Sequence, residues 1–323
     1  MGSFWSSEGV LALGLVLAAA AFAYSPIRPP FCASKPRRLA APAAHGASGG
    51  AGTVSALWRY PIKGFPADAL DSVALAPNGT FPSDRVYALL DVADSDGAFD
   101  EGEPKWVHKQ HFHGAFRSRP ALATLNTTFR DGALEFRGEE RLSARLDAAS
   151  GRAAVEAAAA KRLGRDVRLV TGGETHQFGN TRSGVKSHGD TRTIHLVNAA
   201  SVAAVRAATG LDVDPAVFRP NIVLDGLEAW AEEAWVGEVL RVGGATLEVI
   251  SRTVRCDAIN FHPRTGERWP GNRDLVTEIA EFVPGSGFNK IGNQVGFGGE
   301  ASSSLCRLKA GVPEKGGGID SFE

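Results

Sequence analysis

The sequence predicts a mainly β protein of the α+β class, in which a β-barrel or β-sandwich core carries a few peripheral helices. Short strand-like runs recur along the chain, and Gly, Asn and Asp turn signals separate them. Few segments have a helical pattern. No Gly-x-Gly-x-x-Gly follows a strand-like run, which argues against a doubly wound dinucleotide-binding fold.

The predicted strands begin at Thr53 with the β-rich stretch TVSALWRYPIKG, which ends as a strand at Pro61. The later strand-like runs are Ser72–Leu75, Val86–Asp91, Ala121–Phe129, Asp166–Val170, Thr193–Val197, Asn221–Asp225, Val239–Val242 and Thr246–Ile250.

The predicted helices are three. Ala153–Leu163 is rich in alanine, a strong helix former. Ala199–Thr209 lies between Asn198, a good N-cap, and Gly210, a typical helix terminator. Asn272–Phe282 is the third.

Length and charge limit the function. A chain of 323 residues with 43% hydrophobic and 22% charged residues is globular rather than disordered. Its 35 basic and 36 acidic residues leave no broad basic surface, so we expect no nucleic-acid partner. Three cysteines exclude both a disulfide scaffold and a four-thiolate zinc site.

The N-terminal segment 1–52 differs from the rest. An apolar run, residues 10–24, is followed by basic residues, which is typical of a signal anchor that keeps the body of the protein in the cytosol. A cleaved signal and a transit peptide are the alternatives. The Pro-, Ala- and Gly-rich stretch to residue 52 reads as a flexible linker.

Cys256 is the first candidate for chemistry. It follows a predicted strand, where loops usually build sites, and Arg255 beside it favours the thiolate that ligates metals. A buried structural cysteine is the alternative.

Arg219-Pro220-Asn221 is the second candidate. Proline favours an extended Arg219, and on a strand Arg219 and Asn221 would project from the same face. Arginine binds phosphate through paired hydrogen bonds, and asparagine both donates and accepts. A surface arginine is the alternative.

Two more cations lie at turns. Lys63 belongs to YPIKG and Arg85 to Ser83-Asp84-Arg85, and both suit an anionic ligand. Each could also be a solvated surface charge.

YPIKG, SDR, FRPNIVL and VRCDAINFHPRTG occur in an order that resembles the MOSC family, the molybdenum cofactor sulfurase C-terminal domain. The branch of amidoxime-reducing components is the most similar. The resemblance covers about residues 53–313 and implies a β-barrel-like N-terminal region at 53–172 and a MOSC β-barrel domain at 173–323.

The resemblance also implies a site for the molybdenum cofactor, Mo-molybdopterin. Cys256 would ligate the molybdenum. Arg255 would contribute through its backbone and its charge. The residues that would hold the organic part of the cofactor are Lys63, Arg85, Ser201, Arg219 and Asn221. Gly64 departs from the branch, which usually has serine at this position.

By the same resemblance, the protein is an oxidoreductase that reduces small N-hydroxylated compounds such as amidoximes and hydroxylamines. Electrons would come from NADH through a flavin reductase and a b-type cytochrome, and residues 10–24 would hold the protein in the same membrane. The outer mitochondrial membrane is the expected location, with a plastid or another organelle as alternatives.

Two other functions are open. A non-catalytic carrier would hold the cofactor or a sulfur group at Cys256 and pass it on. A β-barrel interaction module would have a degenerate site, consistent with Gly64.

Overall fold

The computed structural model describes residues 52–75, 81–95, 97–115, 117, 119–137, 141–178, 193–282, 290–297 and 306–309. Strands outnumber helices within these ranges, as the sequence predicts.

The described strands are β1 Thr53–Arg59, β2 Asp68–Leu70, β3 Ser72–Leu75, β4 Tyr87–Asp91, β5 Phe112–His113, β6 Thr127–Arg130, β7 Ala133–Phe136, β8 Leu142–Arg145, β9 Val167–Thr171, β10 Ile194–Asn198, β11 Ile222–Asp225, β12 Val239–Val242, β13 Ala245–Val254, β14 Lys290–Phe297 and β15 Cys306–Lys309. The described helices are α1 Val92–Ser95, α2 Arg119–Ala123, α3 Ala149–Leu163, α4 Ala199–Thr209 and α5 Leu275–Phe282.

The largest sheet has seven strands in the order β12-β13-β14-β10-β11-β1-β2. β10 and β11 are parallel, and the other neighbours in this sheet are antiparallel. Its apolar side chains, including Leu57, Leu196 and Ile222, form one buried cluster with almost no exposed surface. Each fully buried apolar side chain of this kind stabilises the folded protein by about 1.5–3 kcal/mol. This cluster therefore fixes the strand ends that carry the site.

The chain between β3 and β10 forms two three-stranded sheets, β5-β4-β9 and β6-β7-β8. Helix α3 packs over them through Val155 and Ala159, which join a second buried cluster together with Ile62 and Phe65. The segment that follows β1 is therefore anchored in this second core.

Local signals locate several elements residue by residue. The predicted runs Ser72–Leu75 and Val239–Val242 are β3 and β12. Helix α4 has the predicted limits, because Asn198 accepts a hydrogen bond from the Ala200 N–H at 3.0 Å and Gly210 adopts a left-handed conformation.

One predicted strand is wrong. The run Ala121–Phe129 divides into the end of α2 and the start of β6. Pro120 lies in the first turn of α2, where its missing N–H costs nothing, and the Arg162 side chain donates to the Ala121 carbonyl at 2.5 Å. Alternating apolar residues alone do not exclude such a short helix.

The predicted membrane anchor is not supported. In the ranges given above, no helix combines the length and the apolar character needed to cross a membrane. This finding contradicts the prediction of a membrane-anchored protein, and we withdraw it. The run 10–24 on which the prediction rested lies outside the described residues.

Candidate functional site

Three strand ends meet at one edge of the large sheet. Leu57 of β1 pairs with Ile222 of β11, which pairs in turn with Leu196 of β10. Because β10 and β11 are parallel and β1 is antiparallel to β11, both of the former begin where β1 ends. The residues just after β1, just before β11 and at the start of β10 therefore lie together.

Tyr60, the first residue after β1, is the centre of this group. Two guanidinium groups lie over its ring, with Cζ of Arg85 at 4.5 Å and Cζ of Arg219 at 4.2 Å from the ring centroid. Such stacking of cations on an aromatic ring is favourable. Burial raises the pKa of Tyr60 to about 12, although both arginines act in the opposite direction. The Tyr60 hydroxyl has no hydrogen-bond partner within the described part of the chain.

Arg85 and Arg219 both have left-handed backbones, with φ of 56° and 54°. The prediction of an extended Arg219 before Pro220 is therefore wrong: Arg219 ends the short 3-10 turn Pro215–Phe218, and β11 begins only at Ile222. The Arg85 side chain donates to the Arg219 carbonyl at 2.9 Å. Non-glycine residues adopt this conformation at a cost and often at functional sites.

One carboxylate accompanies these cations. Asp84 is 2% exposed, accepts from the Tyr60 N–H at 2.9 Å and from the Gln177 side chain at 2.8 Å, and forms an ion pair with Arg85. The Arg219 side chain instead donates to the Phe65 carbonyl at 2.8 Å. In the ranges that the structure describes, Asp84 provides the only ion pair to Lys63, Arg85 or Arg219.

Lys63 faces the same group. Its ammonium donates to the Phe178 carbonyl at 2.6 Å. Burial, together with the charges of Arg85 and Arg219, lowers the pKa of Lys63 to about 8, whereas Cys256 acts in the opposite direction. The structure therefore brings Lys63 from the N-terminal half into the electrostatic neighbourhood of Cys256.

Cys256 is an exposed free cysteine, so the alternative of a buried structural cysteine is excluded. It follows β13, whose pairing with β14 has two irregularities that bend the strand. The preceding Arg255 is buried and donates to the Phe218 carbonyl at 3.0 Å. Burial lowers the pKa of Arg255 to about 9, and the neighbouring Cys256 partly offsets this.

Asn221 and Ser201 lie behind the cleft rather than in it. The Asn221 amide accepts from the His195 N–H at 3.1 Å and donates to the Trp58 carbonyl at 3.1 Å, so it ties β1 to β10. The Ser201 hydroxyl donates to Glu232 and accepts from the Trp230 N–H, both within 2.9 Å. Both side chains are fully buried, and a direct contact of either with a cofactor stays a prediction.

A narrow cleft with a volume of about 30 Å³ opens beside Arg219. Small side chains dominate its walls, with Arg219 and His262 as the polar exceptions. Its lining residues are Gly64, Pro66, Ala115, Ala123, Ala216, Val217, Arg219, Ala258, Phe261, His262, Pro263 and Gly266.

Sequence reasoning missed three residues of this site: Tyr60, Asp84 and His195. Tyr60 and Asp84 belong to the motifs that carry Lys63 and Arg85, so their position next to those cations was a usable signal. His195 lies in an apolar strand, and nothing local indicates its contacts.

Comparisons with known proteins agree with this layout. Residues 51–178 match the MOSC N-terminal beta barrel domain and residues 176–290 match the MOSC domain. Over 90 residues, the chain is 36% identical to the molybdenum cofactor sulfurase of Drosophila mojavensis and 33% identical to that of Drosophila melanogaster. Each of these two matches covers 28% of this chain but only 11% of the sulfurase.

A solved structure, that of the YUAD protein from Bacillus subtilis, is 10% identical and covers 83% of this chain and 92% of that chain. Its TM-score is 0.34, which is too low to support any argument. The matches to the two domains and to the sulfurases support a function related to the molybdenum cofactor.

Proposed function

Because the chain belongs to the MOSC-domain family, we propose that its cleft binds the molybdenum cofactor and that the protein reduces N-hydroxylated compounds. The observation that carries this proposal is the charge imbalance at the cleft. Arg85 and Arg219 stack on Tyr60, their charges act on Lys63, and a single carboxylate, Asp84, forms an ion pair with this group. Partly buried cations in such an excess favour an anionic ligand.

The phosphate of the cofactor fits this excess. Arginine guanidinium groups bind phosphate through paired hydrogen bonds, and Lys63 adds a point charge. The lowered pKa values of Lys63 and Arg219, about 8 and about 10, report an environment that disfavours positive charge without a ligand. A phosphate bound next to Lys63 and Arg219 would raise both pKa values again.

Other residues near the cations would suit the organic ring system of the cofactor. Gly64 and Ala258, which line the cleft beside Arg219, have little or no side chain and would let the flat part of the cofactor approach the backbone closely. The buried Tyr60 hydroxyl has no partner in the described ranges and can both donate and accept a hydrogen bond.

Cys256 suits the role of molybdenum ligand. Cys256 is exposed, directly follows Arg255 and interacts electrostatically with Lys63, so its sulfur is accessible to a metal at the cationic site. Thiolate is the soft ligand that such a metal prefers.

The proposed reaction breaks the N–O bond of an N-hydroxyl group, takes up two electrons and two protons, and releases one water. When bound, the cofactor supplies the two-electron chemistry. Lys63, Arg85 and Arg219 would hold its anionic end, Cys256 would hold the metal, and the small side chains of the cleft would line the approach of the substrate.

We further propose that a b-type cytochrome and its NADH-dependent flavin reductase deliver the electrons. The chain has no Gly-x-Gly-x-x-Gly motif after a strand, so a nicotinamide or flavin donor on another protein fits the sequence.

Reduction of benzamidoxime tests the enzymatic proposal. The protein from a cofactor-competent host, supplied with an artificial electron donor, should release benzamidine, and Cys256→Ala should reduce this rate at least about 100-fold because the metal loses its protein ligand. Cys306→Ala is the matched control and should keep the rate. Full activity of Cys256→Ala would contradict the proposal.

A sulfur or cofactor carrier is the second candidate, favoured by the exposure of Cys256 and by the names of the sulfurase relatives. A carrier would give a persulfide on Cys256 that alkylation traps, together with no turnover of benzamidoxime. An enzyme would give turnover in the absence of any persulfide.

A further inference from the structure

His195 is a buried histidine that links the two halves of the candidate site. It is the second residue of β10 and is 8% exposed. One ring nitrogen, Nε2, lies 2.6 Å from a guanidinium nitrogen of Arg255, and the other, Nδ1, lies 3.3 Å from the Arg219 carbonyl oxygen. No signal in the sequence indicates these contacts.

These two contacts fix the protonation state of the ring. A guanidinium group can only donate, so Nε2 must be the unprotonated acceptor. A carbonyl oxygen can only accept, so Nδ1 must carry the proton. The imidazole is therefore neutral, and both of its nitrogens are engaged within the protein.

The Arg219 carbonyl thus has two donors, the Arg85 side chain and His195. The same residue has a left-handed backbone, with φ of 54°, which must be held by its surroundings. The backbone of His195 also exchanges hydrogen bonds with Asn221. His195 therefore supports the backbone that aims the Arg219 guanidinium and, on its other side, the arginine that precedes Cys256.

We infer that His195 is a positioning residue: its neutral imidazole bridges Arg255 to the Arg219 carbonyl and so holds the anion-binding cations and the Cys256 loop in one arrangement. It does not reach the cleft itself, since both nitrogens face protein groups. The consequence for cofactor binding rests on the proposed function, whereas the arrangement of the cations can be tested with inorganic phosphate alone.

The test uses His195→Phe, which keeps the ring but removes both hydrogen bonds, and His195→Gln, whose amide offers one acceptor and one donor group. The thermal midpoint of the cofactor-free full chain is measured against increasing inorganic phosphate, which yields an apparent Kd. We expect the Kd of His195→Phe to rise about 10-fold, the effect of one lost hydrogen bond, and that of His195→Gln to stay within about 3-fold of wild type.

Val242→Ala is the control for destabilisation alone. Val242 is buried in β12 opposite Ala245, at the other end of β13 from Arg255. This variant should lower the midpoint and leave the phosphate Kd unchanged. If His195→Phe does not fold, the smaller His195→Leu, which also lacks both polar nitrogens, replaces it.

Equal phosphate Kd values in wild type and His195→Phe, with a midpoint lowered as in Val242→Ala, would overturn the role of His195. Molybdenum content separates this failure from that of the proposed function. Wild-type protein without molybdenum from a cofactor-competent host overturns the proposed function, while the phosphate titration still decides the role of His195.

Discussion

Two arginine clusters of this protein differ in how their charges are balanced. In the first, which we call the Asp91 cluster, Arg117 and Arg165 share the carboxylates of Asp91 and Asp94 at 2.8–3.3 Å. These hydrogen bonds hold the pKa of Asp94 below its usual range. The two arginines and the two aspartates of this cluster therefore balance each other in charge, and each residue has a partner of opposite charge.

The second, the Tyr60 cluster, consists of Lys63, Arg85, Arg219, Asp84 and the ring of Tyr60. This cluster has three cations and one carboxylate: Arg85 both stacks on the Tyr60 ring and pairs with Asp84, whereas Arg219 stacks on the ring without an acidic partner among the described residues. Burial and mutual repulsion lower the pKa of Lys63 to about 8.

Under the function that we propose, this difference separates a stabilising cluster from a cluster that binds a ligand. Balanced, partly exposed ion pairs contribute modestly to stability and need no ligand. An unbalanced group of partly buried cations costs stability and regains it when an anion binds. The positions of the carboxylates, rather than the number of arginines, therefore distinguish a ligand site.

The largest expected effect comes from removing a cation of the Tyr60 cluster. Arg219→Gln should lower the affinity for the cofactor about 30- to 100-fold, because a charge-assisted hydrogen bond contributes about 1.5–3 kcal/mol. The cofactor-free protein should be as stable as wild type or more so. Molybdenum per chain after dialysis and the thermal midpoint without cofactor measure the two effects.

Arg165→Gln is the matched control in the Asp91 cluster. The Arg165 side chain is 41% exposed, and Arg117 still pairs with both carboxylates, so the expected loss of stability is below about 1 kcal/mol. Molybdenum content should not change. Equal loss of molybdenum in both variants would remove the distinction between the clusters.

A second prediction concerns the backbone next to Lys63. Gly64 has φ of 86°, and a Cβ there would lie 2.5 Å from the Cα of Gly114. Gly64→Ser, which would restore the residue usual in the resembling branch, should destabilise the protein by about 2–4 kcal/mol, because it combines backbone strain with overpacking. Thermal unfolding of the cofactor-free chain measures the cost.

Gly164→Ser separates strain from overpacking. Gly164 has a similar positive φ of 64°, but nothing lies within 4 Å of a Cβ at this position. We expect Gly164→Ser to lower the free energy of unfolding by about 1–2 kcal/mol. A Gly64→Ser protein as stable as Gly164→Ser would mean that the approach of Gly64 to Gly114 is not a fixed feature of the cleft.

The smallest expected effect is a dependence of stability on pH. Between the lowered pKa of Lys63, about 8, and its ordinary value of 10.5, the unfolded chain binds more protons than the folded one. Stability of the cofactor-free protein should therefore rise with pH in that window. Arg255, with a pKa of about 9, acts in the same direction, whereas Tyr60 opposes it above pH 10.

Thermal midpoints of wild type and Lys63→Met from pH 7.5 to 9.5 check this dependence. The midpoint of the wild type should rise relative to that of Lys63→Met by a few degrees, and phosphate should stabilise the wild type less at the upper end, where Lys63 loses its charge. Parallel curves would contradict the assignment of Lys63 to the unbalanced cluster.

Much of the fold follows from local signals. Asn198 and Gly210 define α4 because caps act within a few residues of the helix end. The run Ala121–Phe129 misleads because its alternating apolar residues satisfy both a strand and a short helix that packs against a neighbour. The strands β7 and β8 are missed because each has only four residues, too few to show a strong alternating pattern, although both pair with neighbouring strands along the chain.

For the candidate site too, some features follow from local sequence motifs and others depend on contacts between distant residues. Lys63, Arg85, Arg219 and Cys256 are identified through short motifs, and the structure brings them into one neighbourhood. The left-handed backbone of Arg219 and the bridge through His195 depend on contacts between residues far apart in the chain, which no local pattern specifies.

The binding of the molybdenum cofactor through Cys256 is best tested by molybdenum and pterin analysis of the purified wild-type chain and of Cys256→Ser. With expression in a host that makes the cofactor, we expect about one molybdenum and one pterin per wild-type chain, and in Cys256→Ser retained pterin with a large loss of molybdenum. Wild-type protein that holds neither, from a host whose other molybdenum enzymes are loaded, would contradict the account.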